Sequence, residues 1–512
     1  MMNNNTITIY KNKALINFEG QDFLGQYGID SRIFHALNNQ KISVGIISQQ
    51  AIENGISVLV DEKDAKEAVS CLEREFEKER KFGVVNSIFN IEGLSALGFV
   101  TDNFNKILTA LKKNKIYPLL LNQVAIDGRV NLVVVNSQLE KTKAIIESEI
   151  FGKAKSVHLA LIGHGNVGGA LLDQILESST EILSRKNINL KVVAIANSKN
   201  LIVNQFGLGN DWLKKIKSST TASKVDYILD FVKENQLENL IVVDNTASKD
   251  FVKHYPTFAE NGFDVVSSNK IFNTQSISSY RNFRKILKKN NKKYLYETNV
   301  GAGLPLIDTI KLLHLSGENI TRIKGVFSGS LSYIFNHFSV RNEKFSTILQ
   351  EALDKGYTEP DPREDLSGND VARKLLILAR ELDLINEFDD INIQNLIPEN
   401  LQNIDKQEFL NRFADLDDYF QNIKNNLPEN HVLRFVGDLH GDLQQEKGSL
   451  DVNLITVPAQ SALGQLKGSD SIFEIYTESY GENPIVIMGA GAGAQVTARG
   501  VFGDILRISE TR

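Results

Sequence analysis

Asp370 and Lys374 are the two residues of this 512-residue chain whose types and spacing best suit proton transfer. Four positions apart on a helix, a carboxylate and an ammonium lie on the same face. An ammonium directed at an oxygen on which negative charge develops can stabilise that charge and supply a proton. The alternative is a solvated ion pair that contributes a few tenths of a kcal/mol to the helix.

The segment before this pair favours the chemical interpretation. Pro360 and Pro362 fix φ and remove two backbone donors, which predicts an extended, acid-rich loop that carries Glu359 and Asp365. Ser367 is predicted to be the N-cap of the helix that follows. Five charged residues held by two prolines make an unusual surface turn, and loops on a rigid scaffold often carry function. We expect the acidic loop and the basic helix to form one site.

A second pattern predicts a dinucleotide-binding fold. An apolar strand from Val157 to Ile162 leads directly into a G-x-G-x-x-G turn and an amphipathic helix, the context in which this motif is credible. The glycines permit the tight turn, the approach of a pyrophosphate and close helix packing, while the helix N-terminus favours an anion. The candidate cofactor-binding residues of this turn are Gly163, Gly165, Asn166, Val167 and Gly168.

The ends of the following strands refine the cofactor prediction. The next strand ends in Asn197, Ser198 and Lys199, where a cofactor with a free ribose 2′-hydroxyl usually meets an acid. Ser198 and Lys199 can instead donate to a 2′-phosphate, so NADP(H) is favoured over NAD(H). Thr246 and Lys270 follow later strands and are predicted to line the nicotinamide side at the carboxyl edge of the sheet.

Two further glycine-rich turns lie towards the C-terminus. Gly301 and Gly303 let backbone carbonyls turn inwards, which suits a hard cation with oxygen ligands and equally suits a hinge. The turn that contains Gly491 joins a strand to a last helix. We expect the chain to return here and complete the cofactor domain over about residues 480–512.

The first 150 residues contain a duplication. Val58-Leu59-Val60 and Leu132-Val133-Val134 occupy matching positions in two passes of strands and helices. This arrangement resembles the ACT domain, an amino-acid-sensing module. The resemblance implies an effector site in the turns that hold Gln49, Gln50, Asn122 and Gln123, although these residues are also typical polar caps on strand ends.

Composition indicates a soluble intracellular protein. The net charge of −6 and the pI near 5.9 give no basic surface for nucleic acid. The single cysteine, Cys71, fits a reducing compartment and excludes cysteine-based acyl chemistry at the predicted site. No apolar run is long enough to span a membrane, and no signal peptide precedes the first module. We expect a cytoplasmic protein with neither nucleic acid nor membrane as a partner.

From Val157 onwards the chain resembles homoserine dehydrogenase. With the two ACT-like modules it is similar to bifunctional aspartate kinase/homoserine dehydrogenase lacking its kinase, so aspartate kinase activity is not expected of this chain. The stretches that carry the resemblance are Glu297–Pro305, Phe327–Phe335, Tyr357–Lys374 and Gly491–Ala498. The resemblance implies NAD(P)H-dependent reduction of L-aspartate 4-semialdehyde to L-homoserine, a step in threonine, methionine and isoleucine biosynthesis.

The resemblance also implies roles for single residues. Lys374 matches the general acid/base and Asp370 the carboxylate that orients it; Glu359 matches the residue that binds the substrate amino group, and Asp365 lines the same pocket. Thr246, Lys270 and Gly491 match cofactor-side positions. A monovalent-cation site for Na+ or K+, made largely of backbone oxygens, is implied at Glu297, Val300, Ala302 and Leu304.

The predicted fold class is α/β: a Rossmann-type dinucleotide-binding domain and an α+β substrate and dimerisation domain, preceded by two ACT-like βαββαβ modules. The predicted boundaries are 1–82 and 83–153 for the modules, 154–298 for the dinucleotide domain and 299–479 for the substrate domain. A homodimer or homotetramer is expected, with threonine as the effector. The modules either regulate the enzyme or only mediate assembly.

Two alternatives remain open from sequence. One is a different NADP-dependent dehydrogenase that acts on an amino acid semialdehyde or a hydroxy acid. The other is an amino-acid sensor with a degenerate dehydrogenase body. The presence of all three motif glycines together with Lys270, Glu359, Asp370 and Lys374 argues against degeneration, because a site that has lost its function need not keep them all.

Overall fold

The structure is a computed structural model that describes residues 7–20, 28–50, 55–101, 104–124, 128–151 and 154–510. The chain divides between Lys155 and Ser156 into two compact units. Within the described residues, no helix is both long enough and apolar enough to cross a membrane.

The N-terminal unit is built on one six-stranded sheet. Its strands are β1 (Thr8–Gly20), β2 (Ile47–Gln50), β3 (Gly55–Asp61), β4 (Val85–Val100), β5 (Leu120–Val124) and β6 (Arg129–Val135). Its helices are α1 (Ile29–Asn39), α2 (Ala65–Glu75), α3 (Glu77–Lys81), α4 (Phe104–Lys113) and α5 (Leu139–Phe151). The strand order is β2-β3-β1-β4-β6-β5, with β1 antiparallel to β4 at the centre. The predicted duplication is visible in this order, because β3 and β6, which carry the matching apolar triplets, hold equivalent places on either side.

The second unit begins with a mainly parallel sheet. Its strands are β7 (Lys155–Ile162), β8 (Ile188–Ala196), β9 (Leu201–Val203), β10 (Leu240–Asp244), β11 (Asp264–Ser267) and β12 (Tyr294–Leu295). The helices are α6 (Asn166–Lys186), α7 (Trp212–Ser218), α8 (Val225–Glu234), α9 (Tyr255–Glu260) and α10 (Ile277–Asn290). The strand order is β12-β11-β10-β7-β8-β9. From one edge of the sheet the strand numbers fall as far as β7 and then rise, so the order of the chain across the sheet reverses at β7. In open α/β sheets the ligand crevice lies at such a reversal, outside the carboxyl ends of the strands.

The rest of the second unit combines helices with a second sheet. The helices are α11 (Leu306–Leu315), α12 (Gly329–Val340), α13 (Phe345–Asp354), α14 (Arg363–Leu366), α15 (Asn369–Glu381), α16 (Glu399–Gln402), α17 (Lys406–Asn411), α18 (Asp417–Asn425) and α19 (Ala494–Glu510). The strands are β13 (Ile320–Val326), β14 (Asn392–Ile393), β15 (His431–His440), β16 (Ser449–Pro458), β17 (Ser471–Thr477) and β18 (Ile485–Gly489). Their order is β14-β16-β15-β13-β17-β18, and only the pair β14 and β16 is parallel.

The last helix, α19, packs on the mainly parallel sheet of the second unit. Ala498, Val501, Phe502 and Ile505 are buried in the same core as residues of α6, β7 and β10. This contact is polar as well as apolar, since a carboxylate oxygen of Asp504 accepts the backbone N–H of Glu297 at 2.9 Å.

Helix α15 is fixed along its whole length. Its apolar face is fully buried in the core that joins the two sheets of the second unit. At its C-terminal end the Arg380 guanidinium, also buried, donates to the carbonyl of Asn273 at 2.6 Å, and the Tyr296 hydroxyl donates to Glu381. Since Asn273 and Tyr296 follow strands of the dinucleotide sheet, the helix is tied to that sheet.

Two local predictions around this helix are wrong. Arg363, Glu364 and Asp365 are not in an extended loop but in the short helix α14, because Pro362 takes φ −61° and ψ −12°, values suited to a first helical turn. The N-cap of α15 is Gly368, not Ser367. The chain turns sharply between two helices, and Gly368 takes the left-handed φ of 74° that this requires.

Candidate active site

The amine of Lys374 has two fixed acceptors. It lies 2.8 Å from Oδ2 of Asp370, one turn earlier on α15, and donates to the backbone carbonyl of Phe327 at 2.7 Å. The other oxygen of Asp370 lies 3.6 Å from the amine of Lys270, which follows β11. The Lys374 side chain is 12% exposed and that of Asp370 46%, so the carboxylate reaches solvent while the ammonium is largely enclosed. The structure therefore brings together three of the predicted site residues.

The charges of these three side chains shift the pKa values of Asp370 and Lys270. Desolvation raises the pKa of Asp370, but the charges of Lys374 and Lys270 outweigh it and hold the pKa of this carboxyl well below its usual range. The Asp370 carboxylate favours the charged form of Lys270, yet burial and the Lys374 ammonium outweigh that attraction and lower the pKa of Lys270. A permanently ionised Asp370 can orient both amines.

The acidic part of the site is attached to the N-terminal end of α12. Oδ1 of Asp365 accepts the hydroxyl of Ser330 at 2.6 Å, and Oδ2 accepts the backbone N–H of Glu359 at 2.9 Å. Burial raises the pKa of Asp365, while these hydrogen bonds act against the shift. Phe327, which holds Lys374, precedes Ser330 by three residues. One turn thus contacts both the basic helix and the acidic segment.

Neither Phe327 nor Ser330 was assigned a role from sequence. Both lie in the Phe327–Phe335 stretch, and the available signal was a strand that ends in Ser328-Gly329-Ser330 at the start of a helix. Ser328 is the N-cap of α12, and its hydroxyl oxygen lies 2.8 Å from that of Ser330. Small residues at such a turn are usually interpreted as capping alone.

The glycine turn has the geometry that a dinucleotide requires. Gly163 has φ 84°, and a Cβ there would lie 2.8 Å from a methyl of Thr246. A Cβ on Gly168 would lie 1.9 Å from the carbonyl oxygen of Gly163, so only glycine allows α6 to pack this closely. Beside Gly165 there is open space, since no heavy atom among the described residues lies within 4 Å of its ideal Cβ. The N-terminus of α6 begins at this opening, with Asn166 exposed and Val167 half-buried. These features fit a bound pyrophosphate.

A buried carboxylate organises the next strand ends. Asp244, fully buried at the end of β10, accepts the Tyr255 hydroxyl at 2.6 Å, the Thr246 backbone N–H at 2.8 Å and the Asn269 side-chain amide at 3.1 Å. Burial raises its pKa, and these donors counteract the rise. Because Asn269 precedes Lys270, this network fixes Thr246 and Lys270 at one edge of the sheet. No local sequence pattern indicated this network.

Ser198 and Lys199 are both exposed in the turn after β8. The side chain of Asn197 shapes this turn, since its Oδ1 accepts the backbone N–H of Lys199 at 2.8 Å and that of Asn200 at 2.7 Å. Its amide nitrogen lies 3.1 Å from Nε2 of His164 in the glycine turn. The turn therefore adjoins the cofactor crevice.

The remaining predicted site residues lie later in the chain. Gly491 packs against Ser471, because a Cβ on Gly491 would lie 1.8 Å from the Ser471 hydroxyl oxygen. The carboxylate of Glu297 accepts the backbone N–H groups of Ile307 and Asp308, at 2.7 and 3.0 Å, so it caps α11. No cluster of three or more His, Cys, Asp or Glu side chains within the described ranges is arranged for a metal ion.

Backbone oxygens remain as ligands for the implied cation. The chain turns through left-handed conformations at Gly301, with φ 78°, and at Ala302, with φ 53°. Within the described segments, the carbonyls of Val300 and Ala302 accept no hydrogen bond, whereas that of Leu304 accepts the N–H of Leu306 at 2.9 Å. The carbonyl oxygens of Val300 and Ala302 are therefore available as ligands for such an ion.

In the N-terminal unit, Asn122 and Gln123 are exposed on β5. The side chains of Gln49 and Gln50 lie outside the described part of the chain.

A dinucleotide-binding sheet whose carboxyl edge carries a lysine and carboxylate pair defines a nicotinamide-nucleotide-dependent oxidoreductase. The family description "Homoserine dehydrogenase" matches residues 305–506, "Homoserine dehydrogenase, NAD binding domain" matches residues 163–297, and "ACT domain" matches residues 16–76. The chain belongs to the homoserine dehydrogenase family, whose members are NAD(P)-dependent oxidoreductases.

Individual relatives agree with this assignment. The chain is 36% identical to homoserine dehydrogenase of Schizosaccharomyces pombe, over 69% of this chain and 95% of that protein. It is 37% identical to the bifunctional aspartokinase/homoserine dehydrogenase of Buchnera aphidicola over 96% of this chain, and spans 61% of the length of that relative. The crystal structure of a Candida auris protein of unknown function has a TM-score of 0.62 at 34% identity, covering 70% of this chain and 99% of the other.

Proposed function

We propose that this protein is a homoserine dehydrogenase that interconverts L-aspartate 4-semialdehyde and L-homoserine. The observation that carries the proposal is the Lys374 ammonium, held by Asp370 and the Phe327 carbonyl beside Lys270 at the carboxyl edge of the dinucleotide sheet. Family membership supports the same reaction. The acidic segment around Glu359 supplies a carboxylate for the ammonium group of an amino acid substrate.

Each residue has a chemical task in this reaction. A nicotinamide cofactor, when bound, exchanges a hydride with carbon 4 of the substrate. As the aldehyde is reduced, Lys374 stabilises the charge that develops on its oxygen and gives that oxygen a proton; in the reverse direction it accepts the proton from the hydroxyl. Asp370 keeps the amine in place. Glu359 binds the substrate ammonium, so the site recognises opposite ends of a zwitterion.

NADP(H) is the proposed cofactor, with NAD(H) as a weaker alternative. The support is the exposed pair Ser198 and Lys199, which the Asn197 turn holds next to the glycine motif, and the lack of an acid at this strand end. A 2′-phosphate would gain a charge-assisted hydrogen bond from Lys199. We also propose Na+ or K+ at the backbone oxygens around Val300 and Ala302, which replacement of both ions by choline would test through activity.

We further propose that an amino acid, with threonine as the first choice, binds the ACT-like modules. Asn122 and Gln123, which lie on β5 rather than in the predicted turn, are the described polar residues of the implied effector site. Changing both to alanine should remove the response to the effector and leave basal activity unchanged. A cytoplasmic location and a homodimer or homotetramer are proposed as well; light scattering of the purified chain tests the assembly.

The deciding experiment is steady-state oxidation of L-homoserine with NADP and with NAD, each with and without L-threonine. Activity that threonine suppresses would support both the dehydrogenase and a live regulatory module. Activity indifferent to threonine would keep the dehydrogenase and leave the modules to assembly or another effector. Absence of activity with both cofactors would contradict the proposed function and favour the sensor hypothesis.

A further inference from the structure

We propose that Asp365 and Ser330 are positioning residues that act through Glu359. This inference rests on the proposed function, in which Glu359 binds the substrate ammonium. It assigns Ser330 a part in substrate recognition and adds a positioning role for Asp365.

Both carboxylate oxygens of Asp365 are already engaged. Oδ1 accepts the Ser330 hydroxyl at 2.6 Å and Oδ2 accepts the backbone N–H of Glu359 at 2.9 Å. These two bonds connect Asp365 to α12 on one side and to the peptide of Glu359 on the other. The Glu359 side chain is exposed, and no hydrogen bond or ion pair within the described residues involves it. Glu359 is therefore free to receive a ligand at the place that Asp365 sets.

Ser330 is itself held rigidly. It is 6% exposed in the first turn of α12, and its hydroxyl oxygen lies 2.8 Å from that of the N-cap Ser328. The N-cap hydroxyl in turn accepts the N–H of Leu331 at 3.3 Å. The position of Asp365 is therefore set by the N-terminus of α12 as well as by α14, the short helix in which the acid occurs.

The rest of the acidic segment leaves the Glu359 backbone little other support. Two residues before it, the Tyr357 ring stacks on that of Tyr333 with centroids 4.4 Å apart, and Pro360 after it keeps Glu359 out of the α conformation. Between these two anchors, the hydrogen bond to Asp365 fixes the peptide that carries Glu359. Loss of this bond removes one constraint on that peptide, and small displacements of a binding group weaken recognition.

The same turn also contacts the reacting end of the site. Phe327, three residues before Ser330, accepts the hydrogen bond from Lys374 at 2.7 Å. The turn therefore sets the separation between the proton donor and the carboxylate that binds the substrate ammonium.

The test is Ser330→Ala, which removes the hydroxyl but adds no bulk, with Ser332→Ala as the matched control. Ser332 is also buried on α12, but its hydroxyl faces the carbonyl of Gly468 at 3.4 Å. We expect S330A to raise the KM for L-homoserine about tenfold, with little change in kcat and in the KM for NADP. The inhibition constant of 4-hydroxybutanoate, which is homoserine without its amino group, should stay within about twofold, since Glu359 cannot recognise it.

A double-mutant cycle with Glu359→Gln completes the test. If Ser330 acts through Glu359, adding S330A to E359Q should cause little further loss. Equal effects of S330A on homoserine and on 4-hydroxybutanoate, or additive losses in the cycle, would overturn the inference.

A measurement that needs no turnover separates this inference from the proposed function. Hydrogen–deuterium exchange of the peptide that contains the Glu359 amide should be faster in S330A than in the wild type, and unchanged in S332A. Unchanged exchange in S330A would refute the positioning role. A different outcome is that the wild type fails to oxidise homoserine while S330A still exchanges faster than the wild type. That result would contradict the proposed reaction but not the positioning role of Ser330.

Discussion

The amine of Lys374 donates to the backbone carbonyl of Phe327 at 2.7 Å, across 47 positions of sequence. The carbonyl lies where β13 leads into α12, so the second sheet, and not only its own helix, fixes the lysine. A backbone acceptor cannot be removed by substitution, and it keeps the amine in place even when Asp370 shares its charge with Lys270.

Lys374→Ala should abolish turnover, because it removes the group that stabilises charge on the reacting oxygen, but it should leave the fold intact, because Asp370 still reaches solvent and Lys270. We expect kcat for homoserine oxidation to fall by at least about 100-fold, with NADPH affinity and the unfolding transition little changed. Steady-state kinetics, cofactor fluorescence and circular dichroism would measure these. Lys447→Ala is the control, since Lys447 pairs only with Asp390 on the surface. Near-normal kcat in K374A would exclude Lys374 from the chemistry.

Two glycines of the dinucleotide motif should respond differently to alanine. Gly165 has φ −66° and open space beside it, so G165A should change the unfolding free energy by less than about 1 kcal/mol. G168A should cost about 3 kcal/mol, because its methyl meets the Gly163 carbonyl oxygen. If a pyrophosphate occupies the space at Gly165, the KM for NADP should still rise in G165A. Denaturant unfolding and cofactor kinetics test both; an unaltered cofactor KM in G165A would place the phosphates elsewhere.

Acidic residues in the turn after β8 should reverse the cofactor preference. Ser198→Asp combined with Lys199→Glu removes two donors and adds two negative charges where the 2′-phosphate is proposed to bind. We expect kcat/KM for NADPH to fall at least about tenfold, and that for NADH to change little or to rise. Lys214→Glu is a control on α7, since Lys214 is also an exposed lysine of the dinucleotide domain. Equal losses with both cofactors would reject the assignment.

Two aspartates of the acidic segment should affect stability with opposite pH dependence. Burial raises the pKa of Asp365, so the folded state holds its proton more tightly than the unfolded chain, and the stability due to this group falls as the pH rises above about 4. Arg363 lowers the pKa of Asp361, whose contribution is present above about pH 4 and is lost as the pH falls through its folded-state pKa.

The variants D365N and D361N each remove one of these carboxylates, so the pH-dependent stability due to each can be measured separately. The wild type should lose stability relative to D365N as the pH rises from 4 to 8. Relative to D361N, it should be more stable at pH 7 and lose that advantage in acid. Urea unfolding measured from about pH 2 to about pH 8 gives both differences, and slopes of the same sign would contradict the pKa directions.

Sequence alone determined the features whose signals are local. The G-x-G-x-x-G turn between a strand and a helix, the i,i+4 pair of Asp370 and Lys374, and the matching triplets of the duplication each lie within a short window. Backbone geometry and helical periodicity operate at that range, so they can be inferred without knowing the fold.

Tertiary structure decided the partners. The hydroxyl of Ser330 meets Asp365 across 35 positions, and the carbonyl of Phe327 meets Lys374 across 47. The network around Asp244 likewise joins residues of two strands and a helix. Even the helix start at Gly368 depended on how α14 and α15 pack, because a left-handed residue was needed for the turn between them. Such contacts follow from which surfaces bury one another, and no short stretch of sequence contains that information.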